Sequence, residues 1–275
     1  MNTFKARGLV LREYETGESD KRLALLCKGH GRLLVHARGA RGAKSKFLAA
    51  SQMFTYGDYV IADGRQFLSL NQGSVIESFY PIRQDYDKLC YAQYILEICE
   101  KTIPDRTPCD ELLLLVLKTL QHISRQNAPS LSVETDKLSA AERTDEAGDV
   151  KISGQQAVSV FLFRFFLFYG LAPEMNVCCL CGEGLDHSAT LFCDEGMVCF
   201  NCQKHRPAAP NGTAKSRMPL SLGAQEAVRH ILSTDVNQAF MFRAKDSVLA
   251  ELTRAARLCW MGHFPITLQT DIQMI

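Results

Sequence analysis

Between Cys178 and Cys202 the chain reads C-C-L-C, then seventeen residues, then C-F-N-C. Cys178 and Cys181 form one C-x2-C pair, and Cys199 and Cys202 form another. A gap of this size lets the two knuckles fold back so that four sulfurs converge, and four thiolates in a tetrahedron are a structural zinc site. Gly182 and Gly184 follow the first pair, where the backbone must turn around the sulfurs, and Gly196 precedes the second at the expected ribbon tip. With Cys178, Cys181, Cys199 and Cys202 all serving as ligands, no position stays open for water. The one expected Zn2+ is therefore a scaffold and not a catalyst. The competing reading of such cysteines is a set of buried or redox-active thiols. Cys179 and Cys193 are surplus to the set, and His205 is a weaker spare ligand.

Eleven cysteines would make a disulfide framework in a small secreted protein, but this chain has 275 residues and no apolar h-region at its N-terminus. The expected compartment is the reducing cytoplasm. The most apolar run, 158–169, is interrupted by Arg164 and is shorter than the roughly twenty residues needed to cross a bilayer, so no membrane partner is expected. The formal charge of +1 hides an asymmetry. Up to Gly57 there are eleven Lys/Arg against four Asp/Glu, a local +7, which leaves −6 for the remainder.

Short apolar runs at 4–14, 22–27, 32–37, 54–62, 66–71 and 74–79 are bounded by turn residues, among them Asp63-Gly64 and Gln72-Gly73. Five or six short strands in about 80 residues predict a small β-barrel, of OB or SH3-like type. Beyond Pro81 the period changes. Leu89, Ala92, Leu96, Cys99 and Ile103 recur at helical spacing, and Thr107-Pro108-Cys109-Asp110 reads as the start of a second helix. Residues 126–152 lack periodicity and are expected to be a disordered loop. Ser153-Gly154-Gln155-Gln156 opens a further helix whose phenylalanines lie all round it, as expected of a fully buried helix. The predicted fold class is α+β: an N-terminal barrel over 1–80, then a helical domain over 81–275 with the zinc ribbon inserted at about 175–206.

Between Lys21 and Gly57 there is no Asp or Glu. Lys21, Arg22, Lys28, Arg32, Arg38, Arg41, Lys44 and Lys46 form a basic set, the last four in the Gly-rich run R-G-A-R-G-A-K-S-K. Glycines let backbone approach a ligand while cationic side chains reach past it, which suits a phosphodiester track. Phe47, Phe54 and Tyr56 follow at once and could stack on bases, unless they are barrel core. The run misses a phosphate-binding P-loop because Ala43, not Gly, precedes Lys44-Ser45. No nucleophile–base arrangement or paired carboxylates stand out, and the seven histidines are scattered, so the chain reads as a binding protein and not an enzyme.

Three stretches, residues 8–22 (G-L-V-L-R-E-Y-E-T-G-E-S-D-K-R), 30–46 (H-G-R-L-L-V-H-A-R-G-A-R-G-A-K-S-K) and 165–183 (F-F-L-F-Y-G-L-A-P-E-M-N-V-C-C-L-C-G-E), resemble the RecO family of bacterial DNA repair and recombination proteins. The resemblance covers nearly the whole chain in the right order. It implies an OB-fold that binds single- and double-stranded DNA, annealing of complementary strands, and a mediator role without covalent chemistry. It also implies partners: RecR, often RecF, single-strand binding protein and, through it, RecA, in the cytoplasm on the nucleoid. The DNA-binding residues expected on this chain are Lys21, Arg22, Arg32, Arg38, Arg41, Lys44, Lys46, Phe47 and Tyr56. The competing class is a zinc-ribbon RNA-binding or transcription factor using the same basic barrel, which would select RNA through its 2′-hydroxyls.

Overall fold

The computed structural model describes residues 2–64, 66–125, 153–185, 191–205 and 217–270. The expected loop at 126–152 lies outside the described residues. Strands β1 (Asn2–Thr16), β2 (Asp20–Cys27), β3 (Gly31–Ala37), β4 (Tyr56–Asp63) and β5 (Leu68–Glu77) close into a barrel in the order β1-β2-β3-β5-β4. Every neighbouring pair is antiparallel except β3 and β5, which run parallel through Val35↔Leu68 and His36↔Ser69. A fifth strand placed between the third and fourth is the Greek-key order of an OB-fold, which the sequence period alone left open against an SH3-like barrel.

Alternation of side chains explains how one barrel serves two cores. Leu23, Leu25, Leu33, Val35 and Ile61 point inward and fill the barrel. Leu9, Leu11, Ala24 and Leu26 lie on the outer side and join the core of the helical region instead. A register shift in β1 between Val10 and Arg12 helps that strand contribute to both.

The runs at 66–71 and 74–79 are one strand and not two. The expected turn at Gln72-Gly73 is the middle of β5, where Gly73 pairs with Tyr59 of β4. A Cβ on Gly73 would lie 3.0 Å from the Ala50 Cβ and 3.4 Å from the Tyr59 ring. The glycine therefore serves a close approach inside a strand, not a reversal of the chain.

The helical region consists of α1 (Tyr80–Arg83), α2 (Tyr86–Thr102), α3 (Asp110–Arg125), α4 (Gly154–Phe168), α5 (Phe200–His205), α6 (Leu222–Ser233) and α7 (Asp246–His263). Ser153 caps α4 by accepting from the Gln156 N–H at 3.1 Å. Phe161, Phe163, Phe165 and Phe166 are fully buried, and α4 packs against α2, α3, α6 and α7, so it is the central helix. Burial on every side stops short of its last turn, where Leu167 and Phe168 are each 39% exposed.

Helix α3 starts at Asp110, later than the expected Thr107 cap. The barrel holds the preceding segment out of helical geometry: Arg32 bridges in parallel to Asp105, and the Arg106 N–H donates to the Arg32 carbonyl at 2.9 Å. Arg106 takes a positive φ of 57° there. Only glycine fits at position 31, because a Cβ there would come within 2.0 Å of the Thr107 carbonyl oxygen.

After α4 the chain enters a small sheet in the order β7-β6-β8, made of β6 (Leu191–Cys193), β7 (Gly196–Val198) and β8 (Arg217–Pro219). Strand β8, which lies beyond the expected ribbon boundary, is paired through Arg217↔Cys193. The ribbon is tied to the helices on two sides. Arg229 of α6 donates to the Met175 carbonyl at 3.0 and 3.3 Å, and His263 at the end of α7 lies 3.2 Å from the Asp194 carbonyl.

Candidate nucleic-acid interface and metal centre

The outer face of β2 and β3 is divided. Ala24 and Leu26 are covered by the helical region, whereas Arg22, Leu34 and, just past the strand, Arg38 remain exposed. Strand alternation sets the row: Arg32, Leu34 and His36 share one side of β3, while Leu33, Val35 and Ala37 are buried beneath. Arg22 lies directly across from His36. The His36 ring lies 4.5 Å from the ring of Phe67, tilted by 34°; Phe67 precedes β5 and is 40% exposed. Cationic, aromatic and apolar groups thus form one open strip.

The basic residues expected to track phosphates divide by their partners. Arg32 is taken by the helical region: its Nε lies 2.9 Å from Asp105, and Nη1 donates to the Glu100 carbonyl at 2.6 Å and reaches its carboxylate at 3.6 Å. Arg12 approaches the same Glu100 carboxylate at 3.8 Å, and the Tyr14 hydroxyl donates to it at 2.7 Å. Lys21 pairs with Glu13. Arg41 pairs with Glu15 at 3.0 Å and donates to the Gly17 carbonyl at 3.1 Å.

Arg22, Arg38 and Lys44 are exposed and make no ion pair among the described residues, and Lys46 spends one donor on the Asn71 carbonyl at 3.1 Å. The loop that carries Arg38, Arg41, Lys44 and Lys46 is anchored on the β1–β2 turn. The Gly39 N–H donates to Asp20 at 2.8 Å, and the Arg41 N–H donates to the Ser19 carbonyl at 2.9 Å. The loop thereby extends the open strip and stays fixed to the barrel.

Two aromatics expected at the interface lie elsewhere. Phe47 is 5% exposed and belongs to the barrel core, with the Lys46 ammonium over its ring at 4.8 Å. Tyr56 is half-buried at the start of β4, a strand that borders neither β2 nor β3. Phe54 is 1% exposed. The exposed ring is Phe67, together with His36 and Leu34, which sequence reasoning missed. The signal was available in the alternation of Leu34, His36 and Arg38, though the pairing with Phe67 needs the fold.

In the ribbon, the Sγ atoms of Cys178, Cys181, Cys199 and Cys202 all lie within 4.8 Å of one another. A tetrahedral ion with sulfurs about 2.3 Å away places those sulfurs about 3.8 Å apart. Cys181 and Cys199 stand at 3.7 Å, so the set fits a metal ion. Backbone donors prepare it: the N–H groups of Cys199 and Leu180 point to the Cys178 sulfur at 3.3 and 3.5 Å, and that of Cys202 to Cys199 at 3.4 Å. Burial pushes the Cys178 thiol up, but these N–H donors outweigh it and bring it down to about 6. Gly182, at φ 74°, turns the first knuckle and donates to the Cys178 carbonyl at 2.8 Å. No helix among the described residues is long and apolar enough to cross a membrane.

Two family models match the chain. The family model described as "Recombination protein O N terminal" matches residues 1–79, and "Recombination protein O C terminal" matches 83–134 and 149–268. The protein named DNA repair protein RecO of Acetivibrio thermocellus is 30% identical over 258 residues, covering 94% of this chain and 90% of that one. Its namesake in Bacillus pumilus is 30% identical over 226 residues, covering 82% and 75%. That of Listeria monocytogenes is 29% identical over 214 residues, covering 77% and 74%. Matched in both its barrel and its helical region, the chain belongs to the RecO family of DNA repair proteins.

Proposed function

We propose that the protein binds single- and double-stranded DNA on the open half of the β2–β3 face and anneals complementary strands there, without covalent chemistry. The observation that carries this reading is the division of that face. The helical region covers one half and occupies Arg12 and Arg32, while Arg22, Arg38 and Lys44 make no ion pair among the described residues and lie on the side that carries the exposed Phe67 and the half-buried His36. Cations bind phosphates by releasing counterions, so the affinity is salt-sensitive and indifferent to sequence. A splayed single strand adds stacking on Phe67 and His36. Two strands neutralised on one basic surface repel each other less, and pairing proceeds.

The four-cysteine cluster holds one structural Zn2+, ligated by Cys178, Cys181, Cys199 and Cys202. The ion supplies no reaction step. It fixes the ribbon, and through Arg229 and His263 the ribbon is tied to α6 and α7. In the cell the protein acts in the cytoplasm on the nucleoid as a recombination mediator. There it works with RecR, and with RecF where present, to bring RecA onto DNA coated by single-strand binding protein.

The test is binding of a labelled single-stranded oligonucleotide across a salt series, using wild type and Arg38→Glu/Lys44→Glu. The double reversal is expected to weaken binding by more than tenfold and to flatten the salt dependence by about two units of slope, one per lost phosphate contact. Unchanged affinity at every salt, or tighter binding of RNA of the same sequence, contradicts the reading.

A further inference from the structure

Two sulfurs in the ribbon have no part in the metal cluster and face each other. Cys179 follows Cys178 in the first knuckle, and Cys193 ends β6. Their Sγ atoms are 3.5 Å apart. Backbone pairing holds them there: the Cys179 N–H donates to the Met197 carbonyl of β7 at 3.0 Å, and β7 pairs with β6 so that Cys193 opposes Gly196. Cys193 is 2% exposed, whereas Cys179 is half-buried and can be reached from solvent. Cys27, Cys99, Cys109 and Cys259 lie instead in the barrel and helical cores among apolar side chains.

We propose that Cys179 and Cys193 form an oxidisable dithiol, a modification site separate from the metal cluster, whose disulfide staples the first knuckle to β6. The oxidant is a hydroperoxide. The Cys179 sulfur takes one oxygen from hydrogen peroxide as the O–O bond breaks, giving a sulfenic acid and one water. The Cys193 sulfur then attacks the sulfenic sulfur, the S–O bond breaks, and a second water leaves. Two thiols and one peroxide become one disulfide and two waters. Disulfide formation closes the sulfurs from 3.5 Å to about 2.05 Å. The knuckle thiolates are held by metal meanwhile, and buried Cys193 is shielded from direct attack. In a reducing compartment such a link is reversible.

The inference rests on the metal reading, whose premise is tested separately by the zinc content of untreated full-length protein. The zinc-loaded protein is then treated with one equivalent of hydrogen peroxide, and its peptides are mapped without reduction. The expected result is one linked pair, Cys179 with Cys193, lighter by two hydrogens, with zinc retained. Cys193→Ser, which removes the resolving thiol, is expected to accumulate a sulfenic acid at Cys179 that a dimedone probe captures. Links among the four knuckle cysteines with zinc released first, or Cys179 and Cys193 both still free to alkylate, overturn the proposal. Because the wild-type map decides by itself, a variant that fails to fold does not leave the question open.

Discussion

Phe67 and Phe47 carry the same ring, yet only one can meet a base. Phe47 is closed into the barrel at 5% exposure, and Phe67 is 40% exposed with the His36 ring tilted against it at 4.5 Å. Phe67→Ala should therefore weaken single-strand binding by about 1–3 kcal/mol, the worth of one base stack, and should leave duplex binding nearly unchanged. Fluorescence anisotropy with both substrates measures the difference, and equal losses on the two would count against stacking. Among the cations, commitment decides influence. Arg41 already pairs with Glu15 at 3.0 Å, so its reversal should weaken binding less than reversal of Arg38, which has no such partner among the described residues. Titration of the two single variants at one salt concentration checks the order.

Between elements, the segment after α7 is anchored on α2, where Lys101 donates to the Thr267 carbonyl at 2.7 Å. Glu97 of α2, with 7% of its side chain exposed, accepts the N–H groups of Gln269 at 2.6 Å and Thr270 at 2.9 Å and pairs with Lys101 at 2.7 Å. Burial pushes Glu97 up, but those N–H donors and Lys101 outweigh it, so the net direction is down. A depressed carboxylate contributes stability that is present above the ordinary glutamate value of about 4.3 and is lost as pH falls through the lower folded value. The protection factors of the Gln269 and Thr270 amides, corrected for the intrinsic slowing of exchange in acid, should accordingly fall below about pH 4 before those of the barrel strands do, and Glu97→Gln should lower them at neutral pH. Slow exchange in the variant would place the anchor elsewhere. The elements themselves were legible to different degrees. Leucine periodicity in α3 and the Ser153 cap of α4 are local signals, and both helices form where those signals lie, apart from the start of α3. Gly73 and Thr107 misled because their roles are tertiary: one lets β5 pass Tyr59, and the other lies against Gly31 of the barrel. No window of sequence contains the partner. The cysteine knuckles were legible because metal chemistry fixes their spacing, whereas the split of the β2–β3 face depends on where the helices land.

For the whole molecule, two linked bodies share a core. Leu9, Leu11, Ala24 and Leu26 on the barrel's outer side pack with the helices, and Glu100 and Asp105 reach across to Arg12 and Arg32. The helical region so decides which part of a basic barrel remains open. The four-cysteine set of the ribbon could hold a metal ion, and the ribbon is tied to α6 and α7. Cys181→Ser should lose zinc and lower the thermal midpoint of the helical region, because binding of a structural ion is coupled to folding. Metal content and calorimetry report both, and full stability without metal would contradict the scaffold role. The central claim is that two strands meet on the open strip. Its most direct measurement is the annealing rate of two complementary labelled oligonucleotides over a salt series, for wild type and for Arg38→Glu/Lys44→Glu. The prediction is fast annealing at low salt that slows as salt rises and falls to the protein-free rate in the variant, with zinc content and thermal midpoint unchanged. Annealing that persists in the folded variant at the wild-type rate would contradict it.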